Sequence, residues 1–198
     1  MSEDWRFLKE VYSYKDLPND SIPEFIFWGR SNVGKSSLIN FLTKKKLAKT
    51  SKTPGRTRSL VFFQFKNDFR IVDFPGYGFS KINKGKIQLL DELIEKYLTG
   101  RKNLRKLFLL IDSRHGLKPI DILILELLEK IPYEDINIIF TKQDKLKSLE
   151  SKKKFKCYEK ELKKRIHKKI FHTSINNMNG ILMLKKFLLK SINEKEFG

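Results

Sequence analysis

Short apolar runs and amphipathic stretches alternate along the chain. Runs bounded by polar or turn residues are typical of buried strands, and they occur at 25–28, 59–65, 69–73, 107–111, 137–141 and 169–172. Apolar residues at helical spacing predict helices at 36–42, 86–98, 120–130, 148–167 and 181–192. This alternation predicts an α/β fold with a mostly parallel six-stranded sheet, one antiparallel hairpin strand and helices on both faces.

The length of the chain, 198 residues, suits one domain with a full hydrophobic core. No internal repeat or flexible linker interrupts the pattern. We predict an N-terminal segment over 1–22 that packs on a single domain over 23–198, and a monomer. Four apolar side chains of the N-terminal segment are expected to make that packing: Trp5, Phe7, Val11 and Tyr12.

Cysteine usage and the chain start indicate a compartment. A single cysteine, Cys157, excludes an internal disulfide and suits a reducing environment. Residues 1–6 include acidic side chains and lack the basic region and apolar run of a signal peptide. No apolar stretch has the length needed to span a bilayer. We therefore expect a cytoplasmic protein without membrane insertion.

The charge balance is strongly basic. The chain has 42 Lys and Arg against 23 Asp and Glu, a formal net charge of +19. Such an excess attracts polyanions, nucleic acid first and an anionic membrane surface second. A coding bias towards Lys, Ile, Asn and Phe would give the same excess without a function. Charge alone does not distinguish RNA from lipid.

A phosphate-binding loop lies between the first apolar run and the first helix. Residues 29–36 match the P-loop pattern without a gap. Backbone amides of such a loop and the positive end of the helix dipole surround phosphates. Lys35 is expected to reach the β- and γ-phosphates, and Ser36 to ligate Mg²⁺. The predicted contacts are Gly29, Arg30, Ser31, Asn32, Val33, Gly34, Lys35, Ser36 and Ser37.

Two segments further along are candidate sensors of the γ-phosphate. Asp73 ends a strand and fits a carboxylate that supports Mg²⁺, and the Gly76 amide would meet the γ-phosphate; Phe74 and Pro75 lie between them. The polar segment 52–59 is typical of a loop that orders around nucleotide and Mg²⁺, although an ordinary surface loop has the same composition. Its predicted contacts are Gly55, Arg56, Thr57, Arg58 and Ser59, with Thr57 as second hydroxyl ligand of Mg²⁺ and Thr53 as the alternative.

The segment Thr141-Lys142-Gln143-Asp144 follows another strand and is a candidate base reader. The Asp144 carboxylate can accept two hydrogen bonds from guanine, whereas adenine lacks that donor pattern. Lys142 would lay its aliphatic stem along the purine. Residues His172, Thr173 and Ser174, after the last strand, are expected near the guanine oxygen. This order of motifs predicts a Ras-like GTPase form of the P-loop NTPase fold that binds GTP and GDP with Mg²⁺.

With these motifs assembled, the chain resembles the EngB family of ribosome-biogenesis GTP-binding proteins. The likeness rests on residues 29–37, 52–57, 73–78, 111–116 and 141–144, in that order. Trp28 stands where the family usually has a small residue, Arg58 where it usually has Gln, and Thr141 where GTPases usually have Asn. The resemblance implies a GTP-dependent switch in assembly of the large ribosomal subunit, needed for normal growth, with rRNA or a subunit precursor as partner.

Hydrolysis is expected to be slow and to depend on three residues, Lys35, Asn32 and Gly76. Tyr77 occupies the position at which many GTPases have a water-orienting Gln. GTPases that resemble this chain use an Asn at position 32 to help hold K⁺ near the phosphates; the alternative is that Asn32 suits the loop conformation. Arg56 and Arg58 are either charge stabilisers or RNA contacts.

A basic helix and two competing functions complete the predictions. Residues 152–169 hold ten Lys or Arg and two Glu, and they form either an RNA-binding face or a solvated one. One competitor is a regulator of cell division or septation whose basic surface meets anionic lipid; no amphipathic tail or lipidation motif supports it. The other is a P-loop kinase or ATPase, against which Asp144 argues.

Overall fold

The computed structural model describes residues 4–49, 59–78, 84–131, 136–165, 169–174, 176 and 178–192. Seven strands form one sheet: β1 Trp5–Val11, β2 Glu24–Gly29, β3 Leu60–Phe65, β4 Phe69–Asp73, β5 Leu104–Asp112, β6 Ile136–Thr141 and β7 Ile170–His172. Their spatial order is β1-β3-β4-β2-β5-β6-β7. Only β3 runs against its neighbours, and all other pairings of the sheet are parallel. The predicted single antiparallel strand is confirmed.

Five α-helices cover both faces of the sheet: α1 Lys35–Thr43, α2 Lys84–Gly100, α3 Pro119–Glu129, α4 Leu149–Arg165 and α5 Met178–Ile192. Alternate side chains of β2 explain this arrangement, because Phe25 and Phe27 pack with α1 and α5 while Ile26 and Trp28 pack with α2, α3 and α4. The predicted helices on both faces are confirmed. In the part of the chain that the structure describes, no helix is long and apolar enough to cross a membrane.

The sheet has seven strands rather than the predicted six because β1 joins its edge. Residues 5–11 pair antiparallel with β3. Trp5 and Val11 are buried as expected, and the Trp5 ring lies 5.2 Å from the rings of both Phe65 and Phe69. Phe7 and Tyr12 are instead 49% and 62% exposed. Phe7 lies two positions after Trp5 and therefore on the same face of this edge strand, where its ring is 6.4 Å from the ring of Phe63. Tyr12 follows the end of β1.

A cluster of charged side chains lies at the amino ends of the parallel strands. The buried Glu24 carboxylate at the start of β2 accepts hydrogen bonds from Arg101, from the Tyr97 hydroxyl at 2.5 Å and from Arg70 at 3.3 Å. Arg70, at the start of β4, also donates to Asp20 and Gln64. We call Asp20, Glu24, Arg70, Tyr97 and Arg101 the far-end cluster. It ties the N-terminal segment to the strand starts.

The carboxyl ends of the same strands carry the residues that the sequence predicted for function. Gly29 ends β2, Asp73 ends β4, Asp112 ends β5 and Thr141 ends β6. Because β4, β2, β5 and β6 are adjacent and parallel, their ends form one edge of the sheet. In open parallel sheets, ligands bind at this edge.

Candidate nucleotide-binding site

The loop from β2 to α1 has the backbone shape of a phosphate-binding loop. Asn32 has φ 64° and Gly34 has φ 107°, the left-handed values that let successive amides turn towards one side. Gly29 is required by close approach, since a Cβ there would lie 2.9 Å from the Leu110 carbonyl oxygen of β5. The helix α1 then begins at Lys35, so its N-terminal amides face the end of β2.

Lys35 and Asp73 form a buried ion pair at the centre of the strand ends. Both side chains are under 10% exposed. Burial raises the pKa of the Asp73 carboxyl, and the ammonium group of Lys35 partly offsets that rise. Ser36 follows Lys35 in the first turn of α1, and it is half-buried. One cation and one carboxylate thus meet where a phosphate chain and its metal ion would need them.

The segment that follows β4 packs on the phosphate loop. The Ser31 amide donates to the Tyr77 carbonyl oxygen at 3.2 Å. A Cβ on Gly76 would lie 2.8 Å from the Ser31 hydroxyl oxygen and 2.9 Å from its amide nitrogen, so only glycine allows this approach. The Trp28 indole N–H donates to the Pro75 carbonyl oxygen at 3.0 Å. These contacts hold the Gly76 amide next to the loop.

The packing of Trp28 shows how a large residue fits at a position where the family usually has a small one. Its indole lies in the core against the rings of Phe74 and Tyr77, each with a centroid distance of 5.6 Å. Phe74, which we expected near the nucleotide, has its side chain fully buried in the same core. Its side chain therefore orients the segment 73–77 from below rather than facing a ligand.

The Tyr77 side chain is directed into a buried polar contact. Its hydroxyl donates to Asp121 of α3 at 2.7 Å, and the Arg30 side chain binds the same carboxylate at 3.1 Å. Burial, and then the negative charge of Asp121, raise the pKa of the Tyr77 phenol above its ordinary value, so it stays protonated and donates. Arg30 also donates to the Gly116 carbonyl oxygen at 3.4 Å. Because the Arg30 side chain makes these contacts, only the main chain of Arg30 is left for the predicted contact with nucleotide.

Thr141 connects the candidate base reader to the phosphate loop. Its buried hydroxyl donates to the Val33 carbonyl oxygen at 2.7 Å, and the Ile111 carbonyl oxygen lies 3.3 Å away. The sequence indicates only that Thr lacks the amide of the usual Asn. The structure shows that a hydroxyl at this position is sufficient for a hydrogen bond to the phosphate loop.

Lys142 is fixed between the phosphate loop and β5. Its backbone is left-handed, with φ 58°, and its ammonium group donates to the Asn32 carbonyl oxygen at 2.6 Å and to Asp112 at 2.9 Å. Burial would raise the pKa of Asp112, but hydrogen bonds from Arg114 and Lys142 hold it at about 2. Asp112 is thus the anchor that extends the Lys142 stem across the site. That stem passes 3.6 Å from the Cβ position of Gly34.

These loops line one cleft that is open to solvent. Seven predicted residues line it: Gly34, Ser37, Thr141, Lys142, Asp144, Thr173 and Ser174. The Asp144 carboxylate is largely buried and has two loose contacts at 3.3 Å, from Lys145 and from the Asn176 amide. The sheet therefore brings the phosphate loop, the base reader and the loop after β7 around one cleft.

Other predicted residues lie elsewhere or are not described. The His172 imidazole faces α4, 3.5 Å from the Glu159 carboxylate, and does not line the cleft. Ser59 is buried, with its hydroxyl beside the Tyr12 phenol. Gln143 donates to the Ser113 hydroxyl and braces the loop. The predictions for Thr53, Gly55, Arg56, Thr57 and Arg58 lie outside the described residues.

Sequence reasoning missed several residues that shape the site. Asp121, Ser113 and Asn176 make hydrogen bonds to predicted residues, namely Arg30, Gln143 and Asp144 in turn. The cleft also has walls that we did not predict: Leu38, Phe41, Lys145 and Ile181. Phe41 could have been found, because it follows Leu38 by one helical turn on the same face of α1. Nothing in the sequence spacing links Asp121 to Tyr77, which lies 44 positions earlier.

Comparisons with known proteins agree with this geometry. A family model described as "50S ribosome-binding GTPase" matches residues 24–142. A probable GTP-binding protein EngB from Bradyrhizobium diazoefficiens is 40% identical, over 98% of this chain and 91% of its own length. The probable EngB of Clostridium botulinum strain Alaska E43 is 44% identical, over 93% of each chain.

A solved structure shows the same relationship in three dimensions. The crystal structure of a probable GTP-binding protein engB superposes with a TM-score of 0.61 at 27% identity, covering 87% of this chain and 99% of the other. The predicted fold and the resemblance drawn from the motifs are both confirmed. The phosphate loop, the Asp73 strand end and the cleft beside Asp144 therefore belong to a P-loop GTP hydrolase, and the chain is a member of the EngB family of GTP-binding proteins.

Proposed function

We propose that this GTPase acts as a nucleotide-dependent switch in assembly of the large ribosomal subunit, in the cytoplasm and as a monomer. The observation that carries the proposal is the match to a family of 50S ribosome-binding GTPases over most of the domain. The formal net charge of +19 supports it, because rRNA is a polyanion. The γ-phosphate would bias which form of the protein the ribosomal particle binds.

In the proposed nucleotide complex, each strand end has one task. The loop 29–37 surrounds the phosphates, with Lys35 between the β- and γ-phosphates. Asp144 accepts from the guanine base, and the Lys142 stem covers its face. The Gly76 amide meets the γ-phosphate. The largely buried position of the Asp144 carboxylate supports this assignment, since an adenine would not offer it the pair of donors that guanine does.

The residues present fit a Mg²⁺ ion that is shared with the nucleotide. Among the described residues, no group of three or more His, Cys, Asp or Glu could hold a metal ion alone. Mg²⁺ in nucleotide sites takes only one or two protein ligands, and phosphates and water supply the rest. Ser36 is the described side chain that would bind it directly, Thr57 is the proposed second hydroxyl ligand, and Asp73 would support the ion through water. The ion would neutralise charge on the transferred phosphoryl group.

A K⁺ ion beside Asn32 is a separate part of the proposal. The left-handed φ of 64° at Asn32 supports the conformational alternative, because Asn tolerates that region better than most residues. Equal hydrolysis rates in potassium and sodium salts at matched ionic strength would remove K⁺ from the proposal. The roles of Lys35 and Gly76 would stand.

The proposed contact with rRNA is the outer face of α4. Phe155 and Leu162 are buried, as the spacing predicted, and Tyr158 is half-buried. Seven lysines of the helix are exposed: Lys152, Lys153, Lys154, Lys156, Lys160, Lys163 and Lys164. Only the last two form ion pairs within the described part of α4, with Glu159 and Glu161. The remaining positive charges are available to phosphates.

Co-sedimentation with large-subunit precursors tests both the switch and the surface. The proposal expects tighter binding with a GTP analogue than with GDP, and affinity that falls steeply with salt through counterion release. The variant Lys156→Glu, Lys160→Glu, Lys163→Glu should bind more weakly. Its salt slope should fall by about one for each phosphate that the variant no longer neutralises. GTP binding should not change, because the apolar face of α4 is untouched.

A matched control carries the same charge change outside α4. Lys15, Lys102 and Lys130 are exposed, and their reversal to Glu should weaken particle binding much less. Equal losses in the two triple variants would show that net charge, not α4, attracts the particle. Equal binding of the GDP and GTP-analogue forms would contradict the switch.

A further inference from the structure

Asp121 makes more contacts than its position in α3 requires. It is the third residue of the helix, and its carboxylate caps the helix by accepting from the Lys118 amide at 2.8 Å. Such a cap usually leaves the remaining carboxylate positions to solvent. Here the side chain is fully buried and also binds Arg30 and Tyr77, which lie 91 and 44 positions earlier in the chain.

The two long-range partners belong to two different parts of the nucleotide site. Arg30 is in the phosphate loop, and Tyr77 follows directly on Gly76. The backbones of Arg30 and Tyr77 also form an isolated parallel bridge, and the Tyr77 ring packs at right angles to Trp28. Asp121 thus binds the side chains of Arg30 and Tyr77, two residues whose backbones are already paired. We call Arg30, Tyr77 and Asp121 the latch.

We propose that Asp121 is a positioning residue for GTP hydrolysis, because it locks Tyr77 onto the phosphate loop and so fixes the distance from the Gly76 amide to that loop. The inference rests on the proposed role of Gly76 at the γ-phosphate. A glycine in close contact with Ser31 has no side chain to hold it in place. Tyr77, the next residue, fixes the position of Gly76 through the hydrogen bond from its hydroxyl to Asp121.

The latch also explains what Tyr77 and Arg30 do not do. The Tyr77 hydroxyl is committed to a carboxylate and cannot orient an attacking water while that hydrogen bond lasts. The Arg30 guanidinium is neutralised by Asp121 and held by Gly116, so it does not serve as a charge stabiliser on the γ-phosphate. The side chains of Arg30 and Tyr77 therefore fix the geometry of the site and do not contact the reacting atoms.

Tyr77→Phe is the sharpest test, since it removes one hydroxyl and keeps the ring against Trp28. GDP affinity should stay within about twofold, while the single-turnover rate of GTP hydrolysis falls about tenfold, the loss expected for one hydrogen bond to a charged group. Preference for a GTP analogue over GDP should fall as well. Asp121→Asn should reproduce both effects where it folds.

The chain contains a matched control for this substitution. Tyr97 also donates to a buried carboxylate, Glu24, but at the far end of the sheet. Tyr97→Phe should lower the melting temperature and leave the hydrolysis rate of the folded protein unchanged. If Tyr77→Phe behaves in the same way, with lower stability and a normal rate, Tyr77 is merely structural and the latch is refuted.

Two further measurements distinguish failure of the latch from failure of the proposed role of Gly76 at the γ-phosphate. If Gly76→Ala leaves hydrolysis intact, the role of Gly76 itself is wrong. If Gly76→Ala blocks hydrolysis and Tyr77→Phe does not, only the latch is wrong. In a Trp5→Phe background, Trp28 is the one remaining indole and contacts Pro75 and Tyr77. Its emission should differ between GDP and a GTP analogue, and that difference should shrink in Tyr77→Phe.

Discussion

Buried carboxylates lie at both ends of the parallel strands, and their partners differ. At the amino ends, Glu24 accepts from Arg70, Tyr97 and Arg101, and both arginines find further acceptors in the N-terminal segment. At the carboxyl ends, Asp73 has only Lys35 as a charged partner among the described residues, and Asp144 has two contacts at 3.3 Å. Glu24 is saturated by protein groups, whereas Asp73 and Asp144, unlike Asp112 and Asp121 beside them, keep acceptor positions for a ligand.

The contrast separates the charges that serve the fold from those that serve the chemistry. A buried ion that is fully hydrogen-bonded is costly to disrupt, because removal of one partner leaves others buried and unpaired. A group with loose partners loses little stability when it is altered, but it loses whatever ligand it was placed to bind. Stability and activity should therefore separate between the two ends.

The largest expected effect is the loss of Glu24. Glu24→Ala should lower the free energy of unfolding by about 3–5 kcal/mol, since two guanidinium groups and a phenol would lose the one buried carboxylate that they share. Chemical denaturation measures the loss. GTP and GDP affinities of the folded protein should not change. Glu95→Ala, an exposed carboxylate of α2, is the control and should stay within about 0.5 kcal/mol of the parent chain.

If Glu24→Ala lowers nucleotide affinity as well as stability, the two ends of the sheet are not independent. It would mean that the far-end cluster transmits strain along β2 to the phosphate loop. Glu24→Gln would then distinguish the causes, because it keeps the shape of the side chain and removes only its charge.

The second effect lies at the other end, at Asp144. Asp144→Asn should reduce GTP affinity at least about a hundredfold and raise relative affinity for xanthine nucleotides, whose donor pattern suits an amide. Stability should change little. Fluorescence titration with both nucleotides is the measurement, and Asp68→Asn, in the exposed β3–β4 turn, is the control. An unchanged GTP affinity would overturn the guanine assignment.

Sequence patterns predicted most of the fold because each element carries its own local pattern. The strand β4 was predicted at 69–73 and lies there, and each of the five helices was found within a few residues of its ends. The strand β1 was missed because its burial depends on a partner, β3, that lies about fifty positions away. Its sequence alternates only weakly, and Phe7 is exposed although it lies on the same face as the buried Trp5.

The site was predictable where backbone geometry demands a residue type and not where distant side chains meet. The glycines of the phosphate loop and the strand-end Asp73 follow local rules. The saturated contacts of Glu24 and the latch at Asp121 join residues that share no spacing. Thr141 shows the intermediate case: its position was predicted, and the acceptor of its hydroxyl was not.

The third effect is a pH dependence at Asp112. Its folded pKa of about 2 is below the ordinary value of 3.8, so its hydrogen bonds to Lys142 and Arg114 contribute stability above pH 4 and lose it as pH falls towards 2. The difference in unfolding free energy between the parent chain and Asp112→Asn should therefore be largest near pH 6, at about 1–2 kcal/mol, and shrink by pH 3. Urea denaturation at several pH values measures it. A constant difference would show that Asp112 keeps its ordinary pKa and does not anchor Lys142 by charge.

The smallest effect concerns Thr141, which belongs to the nucleotide end but is bonded as completely as the far-end residues. Thr141→Val keeps the shape and removes the hydrogen bond to Val33, at a cost of about 1 kcal/mol. Because this bond joins the base reader to the phosphate loop, we expect the cost to appear as about fivefold weaker GDP binding as well as lower stability. Thr43→Val, which removes a buried hydroxyl at the other end of α1, should lower stability alone. If Thr141→Val loses stability with normal GDP affinity, the two loops keep their spacing without that bond, and Thr141 belongs with the residues that serve the fold.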